Sequence, residues 1–254
     1  MILVNQTKKR AFPPNHQPIL VLDSGQGGQT VLAALRRRLP ELHYVYFADE
    51  AAFTYGDWEE SALKRHLVSL ISRLIDQHRP SATVIACNTA STIVLGALRA
   101  AFPAHPFVGT VPAIKPAATQ TKSGLISVLA TPGTVERDYT RALIDTYASH
   151  VEVNLVGSPH LAALAEARSA GRAVDDHALL AEIEPAFVTR TGKRTDQIVL
   201  GCTHYPLLLD DFVRLAPWPV TWIDPAPAIA ERLASLLELT VGGLGKAIYL
   251  SSAS

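Results

Sequence analysis

Apolar residues along this chain fall in short runs separated by longer stretches with helical spacing. Ile19-Leu20-Val21-Leu22 is the first run; Asp23-Ser24-Gly25 and further glycines follow, then an amphipathic segment from about Thr30 to Leu39. A brief apolar run bounded by a Gly-rich turn predicts a buried strand, and the spacing after it predicts a helix. The unit recurs, with strands at Tyr44-Val45-Tyr46-Phe47 and Thr83-Val84-Ile85-Ala86 and helices over 59–78 and 90–101. Such alternation specifies a mostly parallel sheet with helices on both faces.

Near Pro112 the pattern restarts. Gly124 to Leu129 reads as a strand, Ala130-Thr131-Pro132-Gly133-Thr134 as a turn, and about Val135 to Ala148 as a helix. Val151 to Leu155 and Gln197-Ile198-Val199-Leu200 read as strands, with helices near 160–170 and 176–191 between them. Each half therefore opens with an apolar strand and a small-residue turn, and closes with an apolar strand ending in cysteine. The fold class expected is α/β: two pseudo-symmetric, doubly wound lobes with mostly parallel sheets and the active site in the cleft between them. Residues 1–17, which lack either period, are expected to be a flexible arm. Residues 18–112 form the first lobe and 113–219 the second. The tail, 220–254, with a strand at Val220-Thr221-Trp222-Ile223 and a helix over 225–239, is expected to return to the first.

Composition narrows the partners. Positive and negative side chains balance at 23 each, which leaves no net field to draw the molecule to phosphate backbones or anionic membranes. Nucleic acid and membrane drop out, and a small molecule takes their place. The basic runs at Lys8-Lys9-Arg10 and Arg36-Arg37-Arg38 read as a solvated arm and a solvated helix end. Met1-Ile2-Leu3-Val4 is too short for a secretory apolar region, and no apolar stretch reaches the roughly 18 residues of a membrane span. These features predict a soluble, cytoplasmic protein. Two cysteines in 254 residues predict free thiols in a reducing compartment rather than a disulfide scaffold. The histidines are scattered without ligand spacing, so no metal is expected. The Gly25-Gln26-Gly27-Gly28 turn lacks the order of a nucleotide-binding loop.

In open α/β sheets, ligands bind beyond the carboxyl ends of the strands. Asp23, Ser24, Cys87, Asn88, Thr89, Cys202, Thr203 and His204 all occupy such positions. A lone cysteine reads most simply as a small buried hydrophobe, but these two share a layout: a small residue before, capping side chains after. Aligned N–H groups at a helix N-terminus are expected to lower both thiol pKa values. Two thiols approaching one cleft from opposite sides suit stereoinversion at carbon, one removing a proton while the other delivers one. Donors for the charge that develops are available in Ser24-Gly25, Tyr55-Gly56, Cys87-Asn88-Thr89 and Cys202-Thr203-His204.

At these residues the chain resembles the glutamate racemases. The carriers are Leu22 to Val31, Tyr55-Gly56, Ala86-Cys87-Asn88-Thr89-Ala90-Ser91 and Gly201-Cys202-Thr203-His204-Tyr205-Pro206-Leu207-Leu208, and the match runs from about 19 to 235. The resemblance implies racemisation of glutamate for peptidoglycan synthesis without metal, pyridoxal phosphate or any other cofactor, and a homodimer. It implies that Cys87 takes the α-proton from D-glutamate and Cys202 from the L-enantiomer. It further implies that Asp23 assists the first thiol and His204, oriented by Glu166, the second. Substrate contacts carry over to Asp23, Ser24, Tyr55, Gly56, Asn88, Thr89, Thr203 and His204, and to Thr134 from the turn that opens the second half.

Simpler readings make Asp23 a turn cap and Glu166 a solvated helix carboxylate. Three departures stand out: Thr54 replaces the proline usual before the Tyr-Gly pair, which predicts a looser loop, Gln26 replaces a commonly apolar residue, and the segment from Ser158 to Glu166 matches only loosely. Rival functions are a related two-cysteine racemase or isomerase acting on another acid, and a non-catalytic amino-acid-binding regulatory protein of the same fold.

Overall fold

The structure, a computed structural model, describes residues 17–237 and 244–253. The arm expected over 1–17 lies outside the described residues except for exposed Gln17. From there the chain runs through β1 (Ile19–Asp23), α1 (Gln29–Arg38), β2 (Tyr44–Ala48), α2 (Glu60–His78), β3 (Ala82–Ile85), α3 (Asn88–Ala101), β4 (Phe107–Gly109) and α4 (Ile114–Gln120). The second half comprises β5 (Leu125–Ala130), α5 (Pro132–Val135), α6 (Asp138–Tyr147), β6 (Glu152–Gly157), α7 (Leu161–Ser169) and α8 (Asp176–Ile183). It continues with the hairpin β7 (Thr189–Arg190) and β8 (Lys193–Arg194), then β9 (Gln197–Leu200), α9 (Leu209–Leu215) and β10 (Thr221–Ile223). The chain closes with α10 (Ala226–Ala234) and β11 (Ala247–Ser251).

Two parallel sheets result, ordered β11-β2-β1-β3-β4 and β10-β9-β5-β6. Strand side chains alternate between faces. Leu20 and Leu22 of β1 therefore pack under α2 and α3, while Ile19 and Val21 pack under α1 and α10. The second sheet is sandwiched the same way, with α7, α8 and α9 on one face and α4 and α6 on the other. Helix α2 shows how local sequence and packing agree. Glu59 caps it by accepting from the Ala62 N–H at 2.9 Å, and Arg79 ends it in the left-handed conformation. Its buried residues Leu63, Leu67, Leu70, Ile71 and Leu74 form one stripe. Each such side chain stabilises the fold by roughly 1.5–3 kcal/mol.

Several expectations need correction. The helix expected over 135–148 is two, because Pro132, pre-set at helical φ, starts a short one early and a break at residues 136 and 137 follows. The helix expected over 176–191 stops at Ile183: Pro185 turns the chain through a 3-10 segment, and Thr191 and Gly192, both at positive φ, close the β7–β8 hairpin. The strand at Val220–Ile223, expected in the first lobe, pairs as β10 with β9 of the second; only α10 and β11 return to the first sheet. The last residues of the helix expected over 225–239 lie outside the described residues. Short β4, α4 and β11 were not expected at all.

Candidate active site

Each sheet has a point where the chain, having paired its first strand on one side, crosses to the other. In the first sheet this lies between β1 and β3, in the second between β5 and β9. Crevices at such points bind ligands because the loops leaving adjacent strands diverge there. Register aligns the strands that flank them, with Leu22 beside Ile85 and Leu129 beside Leu200. Asp23 and Cys87 therefore emerge side by side in one lobe. Thr131 and Cys202 do so in the other.

Asp23 is fully buried and accepts from the Gly25 N–H (3.2 Å), the Gly28 N–H (3.0 Å) and, across the lobe boundary, Thr203 Oγ1 (3.2 Å). Burial pushes its carboxyl above the usual range, although His204's charge and these donors pull the other way. Ser24 Oγ lies 3.9 Å from Cys87 Sγ. Cys87 stands at the N-cap of α3, where the Ala90 N–H favours thiolate, as expected. Burial outweighs that benefit, and the Asp23 carboxylate adds to it, so the thiol's pKa is raised rather than lowered. This reverses the expectation for Cys87.

The second thiol has different company. Cys202 Sγ lies 3.7 Å from His204 Nδ1, and the other ring nitrogen, Nε2, lies 2.7 Å from Glu166 Oε1. The same carboxylate oxygen accepts from the Gln26 N–H at 2.7 Å. Half-burial pushes the Glu166 carboxyl up, but the bonds from His204 and Gln26 hold it below its ordinary value. Burial disfavours the His204 cation, yet its contacts with Cys202 and Glu166 prevail and push its pKa up to about 10. The turn 25–28 makes room for this ring. A Cβ on Gly27 would sit 2.5 Å from His204 Nδ1, and one on Gly25 would sit 2.4 Å from Glu166 Oε1.

The remaining residues line the same seam. Tyr55 opens a 3-10 turn, is buried with Cys87 in one apolar cluster, and donates to Asp49 Oδ2 at 2.7 Å. Gly56 faces Gly133 of the other lobe. The hydroxyls of Thr89, Thr131 and Thr134 bond one another across the boundary at 3.1–3.2 Å. Asn88 is buried with neither its amide nitrogen nor its oxygen partnered. The loop predicted to be loose at Thr54 is held by Thr54 Oγ1 to Asp57 Oδ2 (2.7 Å) and by Trp58 Nε1 to the Ala52 carbonyl (3.1 Å).

Sequence reasoning missed three participants. Thr131 completes the threonine triad one turn before Thr134, and the Gln26 N–H anchors Glu166. Asp49 follows β2 by the same strand-end rule that selects Asp23, so a signal for it existed. Among the described residues no group of three or more His, Cys, Asp or Glu is arranged to hold a metal ion, and no helix is long and apolar enough to cross a membrane.

Comparison with known proteins gives a consistent result. The profile of the Asp/Glu/Hydantoin racemase family matches residues 29–233. The chain is 59% identical to the glutamate racemase of Rhizobium meliloti (strain 1021) over 226 residues, covering 89% of this chain and 82% of that one. To the glutamate racemase of Brucella canis it is 58% identical, covering 87% and 80%. Among solved structures, Escherichia coli glutamate racemase in complex with L-glutamate and the activator UDP-MurNAc-Ala is similar at a TM-score of 0.84 and 38% identity. That match covers 93% of this chain and 90% of that one.

Proposed function

The chain belongs to the Asp/Glu/Hydantoin racemase family, and on that premise we propose that it interconverts L- and D-glutamate by proton transfer between Cys87 and Cys202, without a cofactor. One observation carries the reading: a thiol follows the strand bordering the switch point in each lobe, and the two have opposite electrostatic surroundings. Burial and Asp23 keep Cys87 a thiol, whereas the Cys202 sulfur faces the protonated His204 ring at 3.7 Å.

From L-glutamate, Cys202 is the base and Cys87 the acid. The substrate Cα–H bond breaks and an S–H bond forms on Cys202; the Cys87 S–H bond then breaks and a new Cα–H forms on the opposite face. Starting from D-glutamate the two exchange roles: Asp23, its carboxyl raised by burial, accepts the Cys87 proton, the Cys87 thiolate takes the Cα proton, and Cys202, holding a proton passed from His204, delivers it to the opposite face. Charge developing beside the α-carboxylate needs donors already in place. Ser24, Asn88, Thr89, Thr134, Thr203 and the N–H groups near Tyr55 and Gly56 supply them. His204 and Glu166 hold the second thiol ready.

The substrate binds between two domains, the first built on β1–β4 with α10 and β11, the second on β5–β10. Two unpaired buried cysteines fit a reducing cytoplasm. The D-glutamate formed there would supply peptidoglycan synthesis.

The test is incubation with L-glutamate in deuterated water without added cofactor, following α-proton exchange by NMR and D-glutamate formation. Cys87→Ser and Cys202→Ser run in parallel. Inversion with deuterium incorporation, reduced roughly 100-fold or more in each variant, is expected. No exchange with either enantiomer by a folded sample would overturn the assignment.

A further inference from the structure

Outside the thiol pair, one buried carboxylate receives two side-chain donors from different elements. Asp49 follows β2 directly, and its N–H donates to the Asp23 carbonyl at 2.9 Å, which ties it to the strand end that opens the site. Its side chain is only 3% exposed. Oδ2 accepts from Tyr55 OH at 2.7 Å and faces His66 Nε2, on α2, at 2.6 Å. A carboxylate accepts only, so Nε2 of His66 carries the proton in this contact.

His66 also braces the loop at a second point. Its ring lies 5.1 Å from that of Trp58, whose Nε1 donates to the Ala52 carbonyl and so closes the loop from 52 to 58. Tyr55 sits within that loop and shares its apolar surroundings with Cys87 and Ala90. A chain of contacts thus runs from the long helix α2 through His66, Asp49 and Tyr55 to the wall beside the first thiol.

We propose that His66 is a positioning residue for this reaction: by donating to Asp49 and packing on Trp58 it holds the Tyr55-Gly56 loop in its substrate-binding shape. It touches neither thiol and takes no part in proton transfer. Without it, the Asp49 carboxylate stays buried with Tyr55 as its single side-chain donor. Leaving such a group under-partnered is unfavourable, and the loop relieves it by opening. A loop that serves binding of both enantiomers should register the loss in KM more than in kcat.

The kinetic arm of the test rests on the glutamate reading; the other arm does not. His66→Leu is expected to raise KM for both enantiomers by about tenfold, the equivalent of one charge-assisted hydrogen bond, with kcat changed by less than about threefold. His66→Gln, which restores an N–H donor, is expected to recover most of it. Amide hydrogen exchange over residues 50–58, measured by mass spectrometry on the ligand-free protein, should be faster in His66→Leu and near wild type in His66→Gln. Should His66→Leu fail to fold, His66→Asn, with a shorter amide, takes its place. An inactive wild-type protein would defeat the glutamate reading but leave the exchange result standing. Unchanged exchange in the variant lacking the donor, or an equal loss in His66→Gln, would overturn the positioning role.

Discussion

Glu166 Oε1 accepts a 2.7 Å hydrogen bond from His204 Nε2, and this contact decides which ring nitrogen faces Cys202. The Gly27 N–H also points at Nε2, from 3.2 Å, but a nitrogen that donates to a carboxylate cannot accept there. The shorter, charge-assisted contact prevails. Nδ1 is left towards the sulfur. Glu166 comes from α7 and His204 from the segment after β9, so the orientation of one side chain depends on helix packing in the second lobe.

The pair makes stability depend on pH with a definite sign. His204's pKa in the fold, about 10, exceeds its ordinary value of 6.5. Its contribution is therefore complete below about 6.5 and is lost as pH rises towards about 10. Glu166, held below its ordinary value, behaves oppositely: its contribution is present above that value and lost as pH falls through the depressed one. Thermal unfolding followed across pH should show a midpoint that declines on the alkaline side in the wild type and a flatter profile in His204→Asn. Equal slopes in the two proteins would contradict the assignment.

Gly27→Ala tests how closely the turn approaches the ring. The added Cβ would meet His204 Nδ1 at 2.5 Å and its backbone nitrogen at 2.7 Å. Moving the ring relieves only the first of these contacts, so the turn and the His204 backbone must shift apart as well, and the Cys202 contact is lost. Overpacking of this kind costs roughly 1–3 kcal/mol, and misplacing a reacting group by about 1 Å costs roughly 100-fold in rate. Denaturant unfolding and steady-state racemisation measure the two; wild-type kcat in this variant would mean the ring has room that the structure does not show.

Asn88→Ala separates binding from stability. The Asn88 amide is buried without a partner on either polar atom, so truncation removes an unsatisfied group rather than a bond. Stability is expected to hold or rise, while affinity for glutamate falls by roughly 10- to 100-fold through loss of a hydrogen bond to a charged group. Calorimetric titration and thermal unfolding on the same samples provide the comparison. Unaltered affinity would remove Asn88 from the binding site.

Much of the architecture is legible in the residues alone. Buried runs such as Ile19–Leu22 and Gln197–Leu200, and the stripe Leu63, Leu67, Leu70, Ile71 and Leu74, declare strand and helix because local periodicity determines which side chains share a face. The same runs end in Asp23, Cys87 and Cys202, so the ends of the strands, and with them the candidate chemistry, can be read without coordinates. Other features depend on segments distant in the chain. The lobe that receives β10, the descent of His66 onto Asp49, and the contact between Glu166 and His204 have no local signature. Nor does the rise in Cys87's pKa: a helix N-terminus lowers it and is visible in sequence, whereas exclusion of water and the nearness of Asp23 raise it and exist only once β1 has paired with β3 and the chain has packed around them. Periodicity is a property of neighbours along the chain; desolvation and orientation are properties of neighbours in space.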